Sequence, residues 1–256
     1  MRRLSQVFLT DRSFIERMVS EVSPLPGDIF LEVGPGRGAL TRPILERGAS
    51  VLAIELDLLL LDSLKEGLGP EFGERFIVVH GDYLSMPVEP LLPAKPARFI
   101  SNLPYHISTP ALEKVAEEAG LYRDAHLTLQ KELAERICAD PGTKQYGYIS
   151  VLVRLRYEPR ILFYLWPRAF SPTPKVMSAF LRLTSLGPPD RLALRACELA
   201  RLAFGSRRRA LRNSLKPALG AKTLSVLENA GVSPEKRADQ LSPEEYLEIA
   251  RSEAGL

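Results

Sequence analysis

Two cysteines, three histidines and a single tryptophan are spread through 256 residues, and each scarcity closes off a class of protein. Cys138 and Cys197 lie far apart and match no metal-binding or redox spacing, which excludes a disulfide scaffold and points to a reducing compartment. His80, His106 and His126 are too scattered to form a zinc site, so no metal is expected. No apolar run approaches the roughly 18 residues of a membrane span. Met1-Arg2-Arg3-Leu4-Ser5 is not followed by a signal-peptide core. Internal repeats and low-complexity segments are missing too. These absences predict a soluble, cytoplasmic protein without a membrane partner.

What is present is ordinary for a globular chain: 45% hydrophobic and 25% charged residues. The net charge of +3 is unevenly placed. Residues 185–256 hold twelve Lys/Arg against nine Asp/Glu, whereas residues 1–184 are balanced at twenty-two of each. A positive bias confined to the C-terminal segment is compatible with a polyanionic partner.

Strand-length apolar runs alternate with helical patterns along the first half. Ile29–Val33, Val51–Ile54, Phe76–His80, Arg98–Ser101 and His126–Gln130 read as strands, with helices between them. That alternation predicts an α/β fold: a doubly wound, Rossmann-like parallel sheet with right-handed crossovers. Ile149–Arg156 and Ile161–Trp166 read as two further strands, paired antiparallel across the short Tyr157–Arg160 link at the sheet edge. Trp166, Tyr146 and Tyr148 read as packing residues. Gly187-Pro188-Pro189 marks a linker, and the pattern beyond it is helical. The expected domains are residues 1–184 and a small helical unit over 185–256.

Ligands of such sheets bind beyond the carboxyl ends of the strands. Glu32, Gly34, Glu55, Asp82 and Asn102 all fall at such ends. Gly34-Pro35-Gly36-Arg37-Gly38 is neither a dinucleotide fingerprint nor a P-loop, and suits a nucleoside ligand without a pyrophosphate. Glu55 is placed to accept from both ribose hydroxyls and Asp82 from an adenine amine; the alternatives are a dinucleotide fold with a variant fingerprint or, for Glu55, a solvated strand-end carboxylate. These features point to S-adenosylmethionine. Asn102-Leu103-Pro104-Tyr105 suits a flat ring bearing an amine. The Asn oxygen accepts from the –NH2, Pro104 restricts its own φ and that of Leu103, and Tyr105 stacks on the ring.

Five strings in order resemble the ribosomal RNA adenine dimethyltransferases, most closely the small-subunit branch. They are Glu32-Val33-Gly34-Pro35-Gly36-x-Gly38-x-Leu40-Thr41, Asn102–Tyr105, Leu129-Gln130-Lys131-Glu132, Phe170-x-Pro172-x-Pro174-Lys175-Val176-x-Ser178-Ala179 and Ala203-Phe204-x-x-Arg207-Arg208-Arg209. The resemblance implies a methyltransferase domain at 1–184 and a helical RNA- and ribosome-binding domain at 185–256. It implies dimethylation of two adjacent adenosines near the 3′ end of 16S ribosomal RNA by a monomer acting on a pre-30S particle. Gln6, Val7, Leu9, Gly34, Gly36, Glu55, Asp82 and Asn102 would line the cofactor site. Tyr105 and Phe170 would flank the flipped adenine beside Leu103 and Pro104, with the prolines near Phe170 suggesting a rigid, exposed loop. The alternative for Phe170 is a core residue. Lys175, Arg207, Arg208, Arg209 and Arg212 would contact phosphate, the arginines along a continuous helix; the alternative is a solvated helix face. One departure stands out: Val7 occupies the position of a family Asn, so contacts to the methionine end of the cofactor fall to Gln6 or to backbone groups. Competing readings are a large-subunit enzyme of the antibiotic-resistance type, a protein-glutamine or DNA-adenine methyltransferase, and a non-catalytic ribosome-assembly factor.

Overall fold

A computed structural model describes residues 7–256. The chain runs β1 (Phe8–Leu9), α1 (Arg12–Val22), β2 (Ile29–Val33), α2 (Thr41–Glu46), β3 (Ser50–Glu55), α3 (Leu58–Phe72) and β4 (Phe76–His80). It continues through β5 (Ala97–Asn102), α4 (Ser108–Glu117), β6 (Tyr122–Gln130), α5 (Lys131–Ile137), α6 (Tyr148–Arg154), β7 (Tyr157–Leu165), β8 (Phe170–Ser171) and β9 (Ser178–Ser185). The remainder is helical: α7 (Arg191–Gly205), α8 (Leu211–Ser214), α9 (Lys216–Leu219), α10 (Thr223–Asn229) and α11 (Pro243–Ala254).

Seven strands form one sheet in the order β4-β3-β2-β5-β6-β9-β7. The pairs β2–β3, β3–β4, β2–β5 and β5–β6 are parallel, and β6–β9 is antiparallel from Asp124↔Thr184 to Gln130↔Ser178. This is the doubly wound sheet that the alternation predicts. The order reverses between β2 and β5, so Gly34 and Asn102 flank a topological switch point, where such sheets take their ligands. Local chemistry fixes the helix starts. Asp11 accepts from Ser13 N–H at 2.9 Å, and Asp57 accepts from Leu59 N–H at 3.0 Å.

One face of the sheet packs Phe30, Val51, Ala53 and Phe180 against Met18 and Val22 of α1, Ile44 of α2 and Leu61, Leu64 and Leu68 of α3. Each such side chain contributes about 1.5–3 kcal/mol by leaving water. Arg98 of β5 is held in a buried ion cluster. Its guanidinium donates twice to Asp124 and once to Asp28, all at 2.9 Å, and to the Val22 carbonyl at 2.7 Å.

The second half corrects two expectations. Residues 149–156 are not a strand; α6 forms there. Gly147 N–H donates to the Ser150 hydroxyl at 3.0 Å, and that hydroxyl donates on to the Arg136 carbonyl. Ile149, Val151, Leu152 and Val153 are all buried, and a short apolar run buried all round shows no period to separate helix from strand. The antiparallel pair expected across Tyr157–Arg160 is therefore missing: that link lies inside the continuous strand β7, and the antiparallel partner of β6 is β9.

Contacts divide the chain into one unit running up to Ala134 together with Arg160–Ser185, and another of Glu135–Pro159 with Leu186–Leu256. Glu135–Pro159, expected in the first domain, thus groups with the C-terminal helices. Inside that second unit Phe204 lies between Tyr146 and Tyr246, with ring centroids 6.1 and 6.5 Å away. The hydroxyls of Tyr146 and Tyr246 donate to the Leu241 and Ala238 carbonyls at 2.8 and 2.9 Å. Tyr146 is buried and Tyr148 half-buried, but Trp166, expected to pack, is 53% exposed.

Candidate functional site

β2 delivers Glu32 and the glycine turn to the carboxyl edge of the sheet. Gly34 and Gly36 adopt φ of +64° and +59°, the left-handed region where side chains are disfavoured. A Cβ on Gly36 would stand 3.2 Å from the Phe8 ring, so the turn passes close beneath β1. Arg37 in turn places its guanidinium 4.8 Å from the centroid of that ring.

Glu55 ends β3 and is 4% exposed. Its Oε1 accepts from the N–H groups of Leu56 and Asp57, each at 2.9 Å, and Oε2 accepts from Gly36 N–H at 3.2 Å. Three of roughly four acceptor positions on the carboxylate are taken. It therefore offers a ligand one position on Oε2, where the sequence suggested bonds to two hydroxyls. Burial raises its pKa, and the three N–H groups oppose that rise. Glu32 is buried more deeply. Burial pushes its carboxyl up to about 7 against the Thr41 hydroxyl, which donates at 2.7 Å, while the Glu55 charge adds to the rise.

Two cavities meet here, of about 100 and 220 Å³, and both are walled by Gly34, Glu55 and Pro104. The smaller is lined by Val7, Phe8, Leu9, Gly36, Asn102 and Tyr105. The larger is lined by Ile54, Leu56, Asp82, Leu84, His106 and Ile107. Asp82 is fixed by Leu84 N–H, which donates to its Oδ1 at 3.0 Å. A largely apolar slot with Asp82 on its wall fits an adenine, and Glu55, shared by the two cavities beside the glycine turn, fits a ribose. The residues present therefore fit S-adenosylmethionine.

Asn102 ends β5 with its amide half-buried. Its Nδ2 donates to the Val7 carbonyl at 3.2 Å, and because only the –NH2 can donate to a carbonyl, this bond sets which way Oδ1 points. Leu103 is buried. The Pro104 carbonyl accepts from Ile107 N–H at 3.0 Å, which holds the turn after it. Tyr105 is fixed at its far end by a 2.7 Å hydrogen bond between its hydroxyl and that of Ser178.

Other expected residues are placed differently. Gln6 lies outside the described residues. Phe170, expected in an exposed loop beside the base, is 2% exposed and packs in the core. The reason is the two-residue sheet of β1 and β8, which sets Phe170 opposite Leu9. Arg207, Arg208 and Arg209 occupy a turn between α7 and α8 rather than a continuous helix. Arg207 pairs with Asp239 at 3.2 Å and Arg212 with Glu235, whereas Arg208 and Arg209 are exposed. Lys175 is exposed in the loop before β9. Phe8, Thr10 and Ser178 were not among the expected site residues. Phe8 carried a signal in its place between Val7 and Leu9, and Ser178 in its place near the end of the string from Phe170, but the pairing of Ser178 with Tyr105 is set by tertiary contact alone.

Among the described residues no three His, Cys, Asp or Glu cluster to hold a metal ion, and no helix is long and apolar enough to cross a membrane.

The family model for "Ribosomal RNA adenine dimethylase" matches residues 1–254. Curated relatives include a protein called ribosomal RNA small subunit methyltransferase A in Xanthomonas campestris, 37% identical over 98% of this chain and 95% of its own. The protein of the same name from Xylella fastidiosa (strain 9a5c) is 39% identical with the same coverage. Among solved structures, a dimethyladenosine transferase from Plasmodium falciparum superposes with a TM-score of 0.81 at 24% identity, over 94% of this chain and 95% of that one. The 23S rRNA methyltransferase ErmE superposes with a TM-score of 0.71 at 27% identity, over 96% and 98%.

Proposed function

The chain belongs to the ribosomal RNA adenine dimethylase family, and we propose that it dimethylates the exocyclic amines of two adjacent adenosines near the 3′ end of 16S ribosomal RNA in assembling small subunits. It is an S-adenosylmethionine-dependent methyltransferase. The cofactor supplies an electrophilic methyl group; the side chains align the amine with it.

The observation that carries the mechanism is the Asn102 amide. With Nδ2 held on the Val7 carbonyl, Oδ1 stays available to accept an N–H of the adenine amine. An adenine amine is a poor nucleophile because its lone pair is delocalised into the ring. An acceptor at Asn102 Oδ1 and a second at the Leu103 carbonyl favour a pyramidal nitrogen whose lone pair faces the cofactor. Tyr105, anchored through Ser178, gives the base a stacking surface. The methylated nitrogen becomes acidic and loses its proton to water, so no strong base is required. Glu55 and Asp82 hold the ribose and adenine of the cofactor. Gly36, Val7, Phe8 and Leu9, which line the smaller cavity, would border its methionine end.

Residues 185–256 contribute phosphate contacts, for which exposed Arg208 and Arg209 are the strongest candidates. In this reading the enzyme acts as a monomer in the cytoplasm. Identity of 37–39% to small-subunit enzymes, against 27% to a large-subunit one, favours the small subunit as substrate. Incubation with labelled S-adenosylmethionine and unmodified small subunits, large subunits, free RNA or DNA tests it. Label confined to small subunits supports the reading, and label on DNA or large subunits alone overturns it.

A further inference from the structure

Trp166 is the single tryptophan of the chain and is 53% exposed. Tyr164, two residues earlier, is 39% exposed, while Leu165 between them is fully buried. Trp166 keeps extended backbone, φ −75° and ψ 150°, so the alternation of β7 continues through it and sets both rings on one face of an edge strand.

This face connects to the amine-binding motif. Lys131, the first residue of α5, holds its ammonium 5.5 Å from the Tyr164 ring centroid. The main-chain N–H of Lys131 donates to the Met177 carbonyl at 2.9 Å, which brings exposed Lys175 and Val176 alongside. Met177 precedes Ser178, whose hydroxyl meets that of Tyr105 at 2.7 Å. Contacts therefore run from Tyr105 through Ser178, Met177 and Lys131 to Tyr164. With strands about 4.8 Å apart, β7 lies three places and roughly 14 Å from β5, the strand that ends in Asn102, within reach of nucleotides a step or two from a base held there. Arg160 and Arg168 are exposed on the same segment of chain, which carries no acidic residue between Glu158 and Asp190.

We propose that Tyr164 and Trp166, with Lys131 and Lys175, form a stacking platform for an unpaired nucleotide flanking the target adenosine. Exposed rings on an edge strand gain nothing from the core, and ring faces among ammonium groups match the stacked bases and phosphates of single-stranded RNA. The platform rests on the assignment of RNA as substrate.

The lone tryptophan makes the test direct. The full-length protein is titrated with a short single-stranded oligoadenylate while tryptophan emission is followed, with anisotropy of an end-labelled copy as the independent measure of binding. Saturable quenching is expected. Trp166→Ala weakens oligonucleotide binding roughly 5- to 150-fold, Trp166→Phe restores most of it, and cofactor affinity stays within twofold of the parent. Binding without a change in emission, equal affinity of Trp166→Ala, or no oligonucleotide binding by the parent protein overturns the platform. So does emission that tracks protein concentration alone, which marks a self-association face. Methyl transfer to small subunits by the parent protein is scored separately: transfer without quenching removes only the platform, and no transfer to any subunit removes the substrate assignment.

Discussion

The side-chain amide of Asn102 and the main-chain carbonyl of Val7 are joined by a 3.2 Å hydrogen bond across 95 residues of sequence. The side chain of residue 7 therefore has no part in orienting the amide. Val7→Ala is expected to retain methyl transfer within a few-fold. Asn102→Ala loses roughly 100- to 1000-fold in kcat, the scale of removing one positioned polar group. Asn102→Asp sets a carboxylate against the Val7 carbonyl and falls at least as far. Steady-state rates with labelled cofactor, beside thermal melts that show intact folding, check all three.

Gly36→Ala is expected to lower cofactor affinity at least tenfold. Its φ of +59° costs an alanine roughly 1–2 kcal/mol, and the added methyl meets Phe8 at 3.2 Å, inside the smaller cavity. Calorimetric titration with the cofactor measures the loss.

Glu32 gives stability a pH dependence. Its carboxyl, at about 7 in the fold against 4.5 when free, favours folding in its neutral form. That contribution is complete below about 4.5 and is lost as pH rises through about 7. Glu32→Gln, which cannot ionise, is expected to raise Tm relative to the parent above pH 8 and not at pH 5. Melting curves at both values decide.

Arg98→Met removes the buried cation from Asp28 and Asp124 and leaves them only the half-exposed Arg123, 3.2 Å from Asp28 and 4.0 Å from Asp124. A buried pair broken this way costs about 3–5 kcal/mol, which lowers Tm by roughly 6–20 °C. Thermal denaturation of the purified variant reads it directly.

Replacing Arg208 and Arg209 together by alanine is expected to weaken subunit binding and flatten its salt dependence, by roughly 0.7–0.9 in slope for each phosphate no longer neutralised. Arg207→Ala lowers Tm as well, because it breaks the 3.2 Å pair with Asp239. Binding across a salt series separates the two effects.

The parallel sheet was legible because each strand is a short apolar run ended by a polar or glycine residue, and those ends are where Gly34, Glu55, Asp82 and Asn102 sit. What escaped was whatever depends on the meeting of distant segments. Phe170 read as an exposed loop residue because nothing local announces a two-residue pairing with Leu9. The helix at Tyr148–Arg154 read as a strand because burial on all sides erased its period. Val7 looked like a gap in the polar lining of the pocket because side-chain patterns carry no information about a main-chain carbonyl.

The pairing of β1 with β8 also sets an order of events. Phe8 and Leu9 wall the smaller cavity, yet they are secured by Phe170, Ser171 and the Ala169 carbonyl, which accepts from Thr10 N–H at 2.9 Å. On a chain made from its N-terminus, the first residues to emerge must wait for some of the last of their unit before the pocket closes. The wall of the smaller cavity is thus completed only once β8 has left the ribosome, the particle whose RNA the finished enzyme modifies.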